Sequence, residues 1–245
     1  MAGAARRSAA KHGGGPFYQS FAALTDAVRS GEESYAKVFG AHHFAHMAAE
    51  PGLAELFHRS MAASNAMFSG VTRSVDFSRA RTVVDIAGGN GELLSRILAA
   101  NPGLHGVLMD LPNALASARP RLSEVAGRLT LVPGDFTKSV PANGDIYLLS
   151  RVLHDWDDEQ CATILATCAR NMPPHAELLV IERLLPEGTD PASLAILWDV
   201  HMLCNTGGRE RSESDYRALL ADAGFELTET HQLPLDAHVM KARRR

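Results

Sequence analysis

Along residues 17–77 the apolar positions recur three or four apart. Phe21, Leu24 and Val28 share one spacing, and Leu53, Leu56, Phe57 and Met61 share another, which predicts helices. Ser30-Gly31 and Glu50-Pro51-Gly52 break that run into several pieces. At Arg81 the period changes. The β-branched run at 82–86 predicts a strand and ends in Ala87-Gly88-Gly89-Asn90-Gly91. A helix follows with Leu93, Leu94, Ile97 and Leu98 on one face, closed by Asn101-Pro102-Gly103. Further strands are predicted over 105–111, 129–136, 146–153 and 177–185, with helical stretches between them. Near-continuous apolar strands alternating with helices mean a parallel sheet covered on both faces. Two closing strands, 225–233 and 238–243, are joined by a hairpin at 234–237. Residues 1–16, rich in Ala, Gly and Arg, predict a disordered lead.

The chain has 245 residues, 46% of them apolar and 21% charged, enough for one large α/β domain or for one domain plus a small appendage. Its formal net charge of −4 disfavours a generic nucleic-acid binder, which needs cationic charge to displace counterions. Cys161, Cys168 and Cys204 form no CxxC pair, which removes disulfide scaffolds and zinc ribbons and fits a reducing cytosol. No apolar run is long enough to span a bilayer, and the basic N-terminus has no signal-peptide core.

The glycine turn 88–91 has the shape of a nucleotide site, where small residues admit a ligand to the backbone and a helix N-terminus aims amides at it. It matches neither GxGxxG nor a phosphate-binding GK[ST] loop, so a plain tight turn is an equal reading. Asp110, about 20 residues on, ends the second strand where a carboxylate can accept both hydroxyls of a ribose; the alternative is a surface turn acid. Asp135 and Phe136 end the third, placed for an adenine amine and ring. Three strand ends carrying such a set say more than any one. His154 ends the fourth strand and can act as a general base, or merely pack in a capping segment. Glu182, inside an apolar strand, needs a partner: His154, or a structural Arg such as Arg183 or Arg211. Glu210 sits in a glycine-led loop that also reads as a solvated charge cluster. His42, His43 and His46 lack an acid or cysteine to complete a metal set and are expected to face solvent. Asp199 and His201 lie on an apolar helix, facing either a substrate or the core.

The ordered set DIAGGNG, LMDLP, PGDF, SRVLHDW, VIERLLP and GGRERS resembles the S-adenosylmethionine-dependent O-methyltransferases of the plant caffeate type and their bacterial secondary-metabolite relatives. The resemblance runs from Phe17 to the C-terminus, and HDW with GGRER is its most specific part. It implies a class I methyltransferase, Rossmann-like α/β fold: a seven-stranded sheet, antiparallel at its last strands, with a helical N-terminal segment. The implied division is a lead at 1–16, a helical linker and pocket segment at 17–77, and an S-adenosylmethionine-binding catalytic domain at 78–245. Asp85, Gly88, Gly89 and Gly91 would line the cofactor, Asp110 and Leu111 the ribose, and Asp135 and Phe136 the adenine, with Ser150 and Arg151 completing the set. His154 matches the catalytic base, and Glu182 and Glu210 the two acids flanking it; no metal is implied.

The implied partner is a small hydroxylated aromatic or polyketide-like metabolite, with no nucleic acid and no membrane, in the cytoplasm. Full-length members dimerise through an N-terminal winged-helix domain, most of which this chain is expected to lack, leaving the homodimer and the pocket lid open. Phe44, Met47, Phe57, Met61, Met67 and Phe68 would line the remaining pocket or pack between helices. Ala87 replaces the first glycine of the family's turn, and its methyl is expected to be accommodated. Some relatives keep the cofactor for decarboxylation or hydroxylation, and a non-enzymatic truncated partner is the remaining alternative.

Overall fold

A computed structural model describes residues 15–50, 52–53, 65–188 and 192–245. Most of the lead at 1–16, together with Leu56, Phe57 and Met61, lies outside the described residues. The helical segment contains α1 (Pro16–Ser20), α2 (Leu24–Ser30), α3 (Tyr35–Phe39), α4 (His43–Ala49) and α5 (Phe68–Ser74). The sheet follows: β1 (Thr82–Ile86), α6 (Glu92–Ala100), β2 (His105–Asp110), α7 (Pro112–Ala118), β3 (Leu129–Pro133), β4 (Ile146–Ser150), α8 (Asp158–Asn171), β5 (Glu177–Arg183), α9 (Leu194–Asn205), α10 (Glu213–Asp222), β6 (Phe225–Gln232) and β7 (Ala237–Arg244). Strand order is β3-β2-β1-β4-β5-β7-β6. β1 to β5 are mutually parallel, and β7 runs antiparallel to both β5 and β6.

Alternate residues of each inner strand feed two cores. Val83, Leu148 and Leu179 face α5 and α6, while Val84, Leu149 and Val180 face α8 and α10. Both faces are buried, which is why these strands read as continuous apolar runs. Leu93, Leu94, Ile97 and Leu98 are the buried stripe of α6, as their spacing requires. The N-terminal helices dock on α9: Ser20 Oγ donates to Asn205 Oδ1 at 2.8 Å and Ser34 Oγ to the Cys204 carbonyl at 3.3 Å. Among the described residues no helix is long and apolar enough to cross a membrane. The three cysteines are buried and free.

Several expectations need correction. β3 stops at Pro133, not 136, because Asp135 turns the chain by accepting from the Thr137 amide at 3.0 Å and hydroxyl at 2.6 Å. β4 stops at Ser150, not 153: Arg151 takes φ 57° and the Glu182 carboxylate captures the next two amides. β5 ends at Arg183, though Leu184 continues as a single bridge to Arg211. Of the histidines near residue 43, His43 does not face solvent, while His42 and His46 are half-buried. His43 is buried, His42 caps α4 at Phe44, and Tyr35 Oη lies 3.0 Å from His46 Nδ1. Burial pulls His43 down to about 3. Met67 and Phe68 belong to the core on the α6 face, whereas Phe44 stacks on Trp156 with centroids 6.1 Å apart.

Candidate active site

All the parallel strands present their C-terminal ends at one edge, where open α/β sheets gather ligands. Ile86 pairs with Leu149, Ser150 with Ile181 and Asp110 with Pro133, so the segments singled out by sequence stand side by side there.

In the β1 turn, contacts at Gly88 and Gly91 leave no room for side chains. A Cβ on Gly88 would lie 2.4 Å from the Asp85 carboxylate, and one on Gly91 (φ 71°) 2.8 Å from Leu122. A Cβ on Gly89 would meet nothing within 4 Å, so that stretch of backbone borders open space. Ala87 has φ 54°, a left-handed conformation that costs an L residue about 1–2 kcal/mol. Its methyl is accommodated, with backbone strain. Asp85 is buried, and neither carboxylate oxygen finds a hydrogen-bond partner. Burial, helped by the Asp110 charge, pushes it up to about 8. Asp110 faces this turn, its Oδ2 accepting from the Gly89 amide at 2.8 Å and its Oδ1 from the Leu111 amide at 2.6 Å. Leu111 itself is exposed. Asp135 is engaged with Thr137 and with Lys138 at 3.0 Å, which hold its carboxyl below the usual range. Phe136 meets Trp156 edge-on at 6.4 Å. The Ser150 hydroxyl is buried with no partner, and Arg151 beside it is half-buried.

One strand over, three titratable side chains converge. His154, in a short helical turn after β4, is 3% exposed, and Glu182 and Glu210 are fully enclosed. His154 Nδ1 lies 3.1 Å from Glu210 Oε1 and 3.6 Å from Glu182 Oε2, and Nε2 lies 3.8 Å from Asp155 Oδ1. Glu182 therefore partners His154 rather than an arginine. Its other oxygen accepts from the Val152 and Leu153 amides at 2.9 and 3.0 Å, so one carboxylate shapes the turn and faces the imidazole it carries. Burial pulls His154 down, but Glu182, Glu210 and Asp155 together outweigh it and push the imidazole up to about 9. Burial raises Glu182 to about 7 against the pull of His154. Ligand atoms of this trio lie within 4.8 Å of one another, the one such His, Cys, Asp and Glu group among the described residues.

The 207–212 loop locks onto the His154 turn. Arg211 is fully buried. It donates to the Leu153 and Trp156 carbonyls at 3.0 and 2.9 Å and to Asp158 at 2.7 Å. Arg209 adds a second bond to Asp158. A Cβ on Gly208 would lie 2.1 Å from the His154 carbonyl oxygen, so only glycine allows this approach. Asp199, on α9, accepts from the Glu210 amide at 3.0 Å. Sequence offered Arg211 as a structural partner for Glu182; the structure spends it instead on the backbone of the His154 turn and on Asp158.

The family model of an O-methyltransferase domain matches residues 21–226. The chain belongs to the O-methyltransferase family. A 3-amino-4-hydroxybenzoate 4-O-methyltransferase from Streptomyces cremeus is 45% identical over 94% of this chain and 63% of its own length. The chain thus spans less than two thirds of that relative. Among solved O-methyltransferase structures, the mitomycin 7-O-methyltransferase is 36% identical with a TM-score of 0.90, covering 94% of this chain and 69% of the other. An O-methyltransferase from neocarzinostatin biosynthesis, in complex with S-adenosylmethionine and 2-hydroxy-5-methyl naphthoic acid, is 29% identical with a TM-score of 0.86 over the same shares.

Proposed function

We propose that this protein transfers a methyl group from S-adenosylmethionine to a hydroxyl of a small aromatic secondary metabolite, with His154 as general base. The observation that carries the reading is the enclosed His154–Glu182–Glu210 cluster at the same sheet edge as the glycine turn. The β1 turn fits the cofactor: the glycine backbone borders open space, and the buried Asp85 oxygens lack partners. Asp85, Gly88, Gly89 and Gly91 would hold its amino-acid end and Asp110 and Leu111 its ribose. Phe136, with Asp135, would hold the adenine, and Ser150 and Arg151 would flank the sulfonium. Residues 17–77 would serve the acceptor pocket and residues 78–245 the cofactor and the chemistry.

When bound, the cofactor supplies an electrophilic methyl on sulfur. In its neutral form His154 donates Nδ1–H to Glu210 and accepts the acceptor's hydroxyl proton at Nε2 as oxygen attacks. Glu182 and Glu210 hold the ring and stabilise the imidazolium that forms. An imidazole at about 9 is well matched to a phenol near 10, so the proton transfer is close to balanced. General-base help is worth about 10²–10⁴ in rate, and in-line positioning up to about 7–11 kcal/mol. Methyl transfer is favoured over decarboxylation or hydroxylation because the base and both acids are in place.

The test uses S-adenosylmethionine labelled in its methyl group and a panel of hydroxylated aromatics. Label should appear on the acceptor oxygen, and His154→Gln should lower kcat by at least about 10²-fold with S-adenosylhomocysteine affinity unchanged. Turnover of an acceptor without label transfer would sink the reading.

A further inference from the structure

Glu182 and Arg183 are adjacent in β5 and so point to opposite faces of the sheet. Glu182 turns to His154. Arg183 lies beneath α9 with its guanidinium carbon 4.6 Å from the Trp198 ring centroid. The residue is 3% exposed, its Nε finds no acceptor, and among the described residues its guanidinium makes no hydrogen bond or ion pair. Arg211 shows what a structural buried arginine looks like in this protein, with its donors spent on three carbonyls and a carboxylate. Glu210, Glu182 and Asp236 lie near enough for their charges to reach Arg183, but none pairs with it directly. Glu210 is on His154, Glu182 on the Val152 and Leu153 amides, and Asp236 on the Leu194 amide at 2.9 Å.

Enclosing a cation against an aromatic face, with no direct hydrogen bond or ion pair, is costly. The cost is accounted for when an anionic ligand closes the site, and a guanidinium fork matches a carboxylate in shape and charge. The surroundings suit an aromatic acid. Trp198 meets His201 edge-on at 5.0 Å, and His201 lies close enough to His154 for its charge to be felt. An aromatic face, an imidazole and the cation thus stand together along α9. We propose that Arg183 is the carboxylate-binding residue of the acceptor pocket, so that the acceptors are aromatic hydroxy acids. This rests on the methyl-transfer reading. The same fork could instead take the carboxylate of the cofactor's amino-acid end, and the experiment separates the two.

Hydroxybenzoates and hydroxynaphthoates, each beside its methyl ester, are titrated calorimetrically into wild type and Arg183→Met, with and without S-adenosylhomocysteine. The wild type should bind acids about 10- to 100-fold more tightly than esters, and R183M should lose that preference with S-adenosylhomocysteine affinity intact. Without ligand, R183M should melt no lower than wild type, because the substitution removes an unsatisfied buried cation. A wild type that binds no acid more tightly than its ester overturns the proposal, whether or not the variant folds. So does a preference that survives in R183M, or a variant that melts well below wild type, which makes the guanidinium structural. Loss of S-adenosylhomocysteine affinity in R183M with acid preference retained assigns the carboxylate to the cofactor. If S-adenosylhomocysteine fails to bind wild type while acids still beat esters, the methyltransferase reading fails and the carboxylate site stands.

Discussion

Burial alone would strip His154 of its proton at neutral pH; the carboxylates around it reverse that. The consequence is kinetic. As the proposed base, His154 must be neutral to accept a proton, and with its ionisation at about 9 the neutral fraction grows about tenfold per pH unit below that value. The pH profile of kcat/KM reports the free enzyme. It should climb with unit slope on a log scale from about pH 7, where Glu182 is ionised, and level near 9, falling more steeply below 7. Glu182→Gln removes the carboxylate that raises His154 most, so its rising limb should move to lower pH while the maximal rate falls. A limb unmoved by that substitution would contradict the role given to Glu182. Sequence posed the right question here: a carboxylate inside an apolar strand needed a partner. It could not choose between His154 and an arginine, because the choice is made by backbone amides thirty positions away.

At the scale of elements, the site is a turn clamped by a loop. The His154 turn is held from β5 by Glu182 and from the 207–212 loop by Arg211, and Gly208 packs against its backbone. Gly208→Ala puts a methyl into the His154 carbonyl, and backbone must move. Misplacing a catalytic group by 1 Å can cost about 10²-fold. The variant should therefore lose kcat by that order while its S-adenosylhomocysteine affinity, measured by calorimetry, stays near wild type. Equal loss of both would mean the loop supports the whole edge rather than the turn. The interior of each strand was legible from its apolar run, and α6 from its buried stripe. The C-terminal ends of β3 and β4 were not. Both are cut short by carboxylates taking backbone amides, Asp135 locally and Glu182 from another strand, and apolar patterning carries no trace of that.

Across the whole molecule, a five-stranded parallel unit extended by β7 and β6 sets every singled-out segment along one edge. The alternation of strands and helices announced the parallel sheet. His43, expected in solvent, is buried by packing among the N-terminal helices, and His42 and His46 are half-buried with Thr206 and Tyr35 among their contacts. The account's central claim is that the β1–β2 end of this edge is an S-adenosylmethionine site serving His154. Calorimetric titration with S-adenosylhomocysteine, wild type beside Asp110→Ala, addresses it most directly. Tight binding by wild type, weakened about 10- to 100-fold in the folded variant, is the predicted result, as loss of charged hydrogen bonds to the ribose requires. No binding by a demonstrably folded wild type, or equal binding by both proteins, would contradict it.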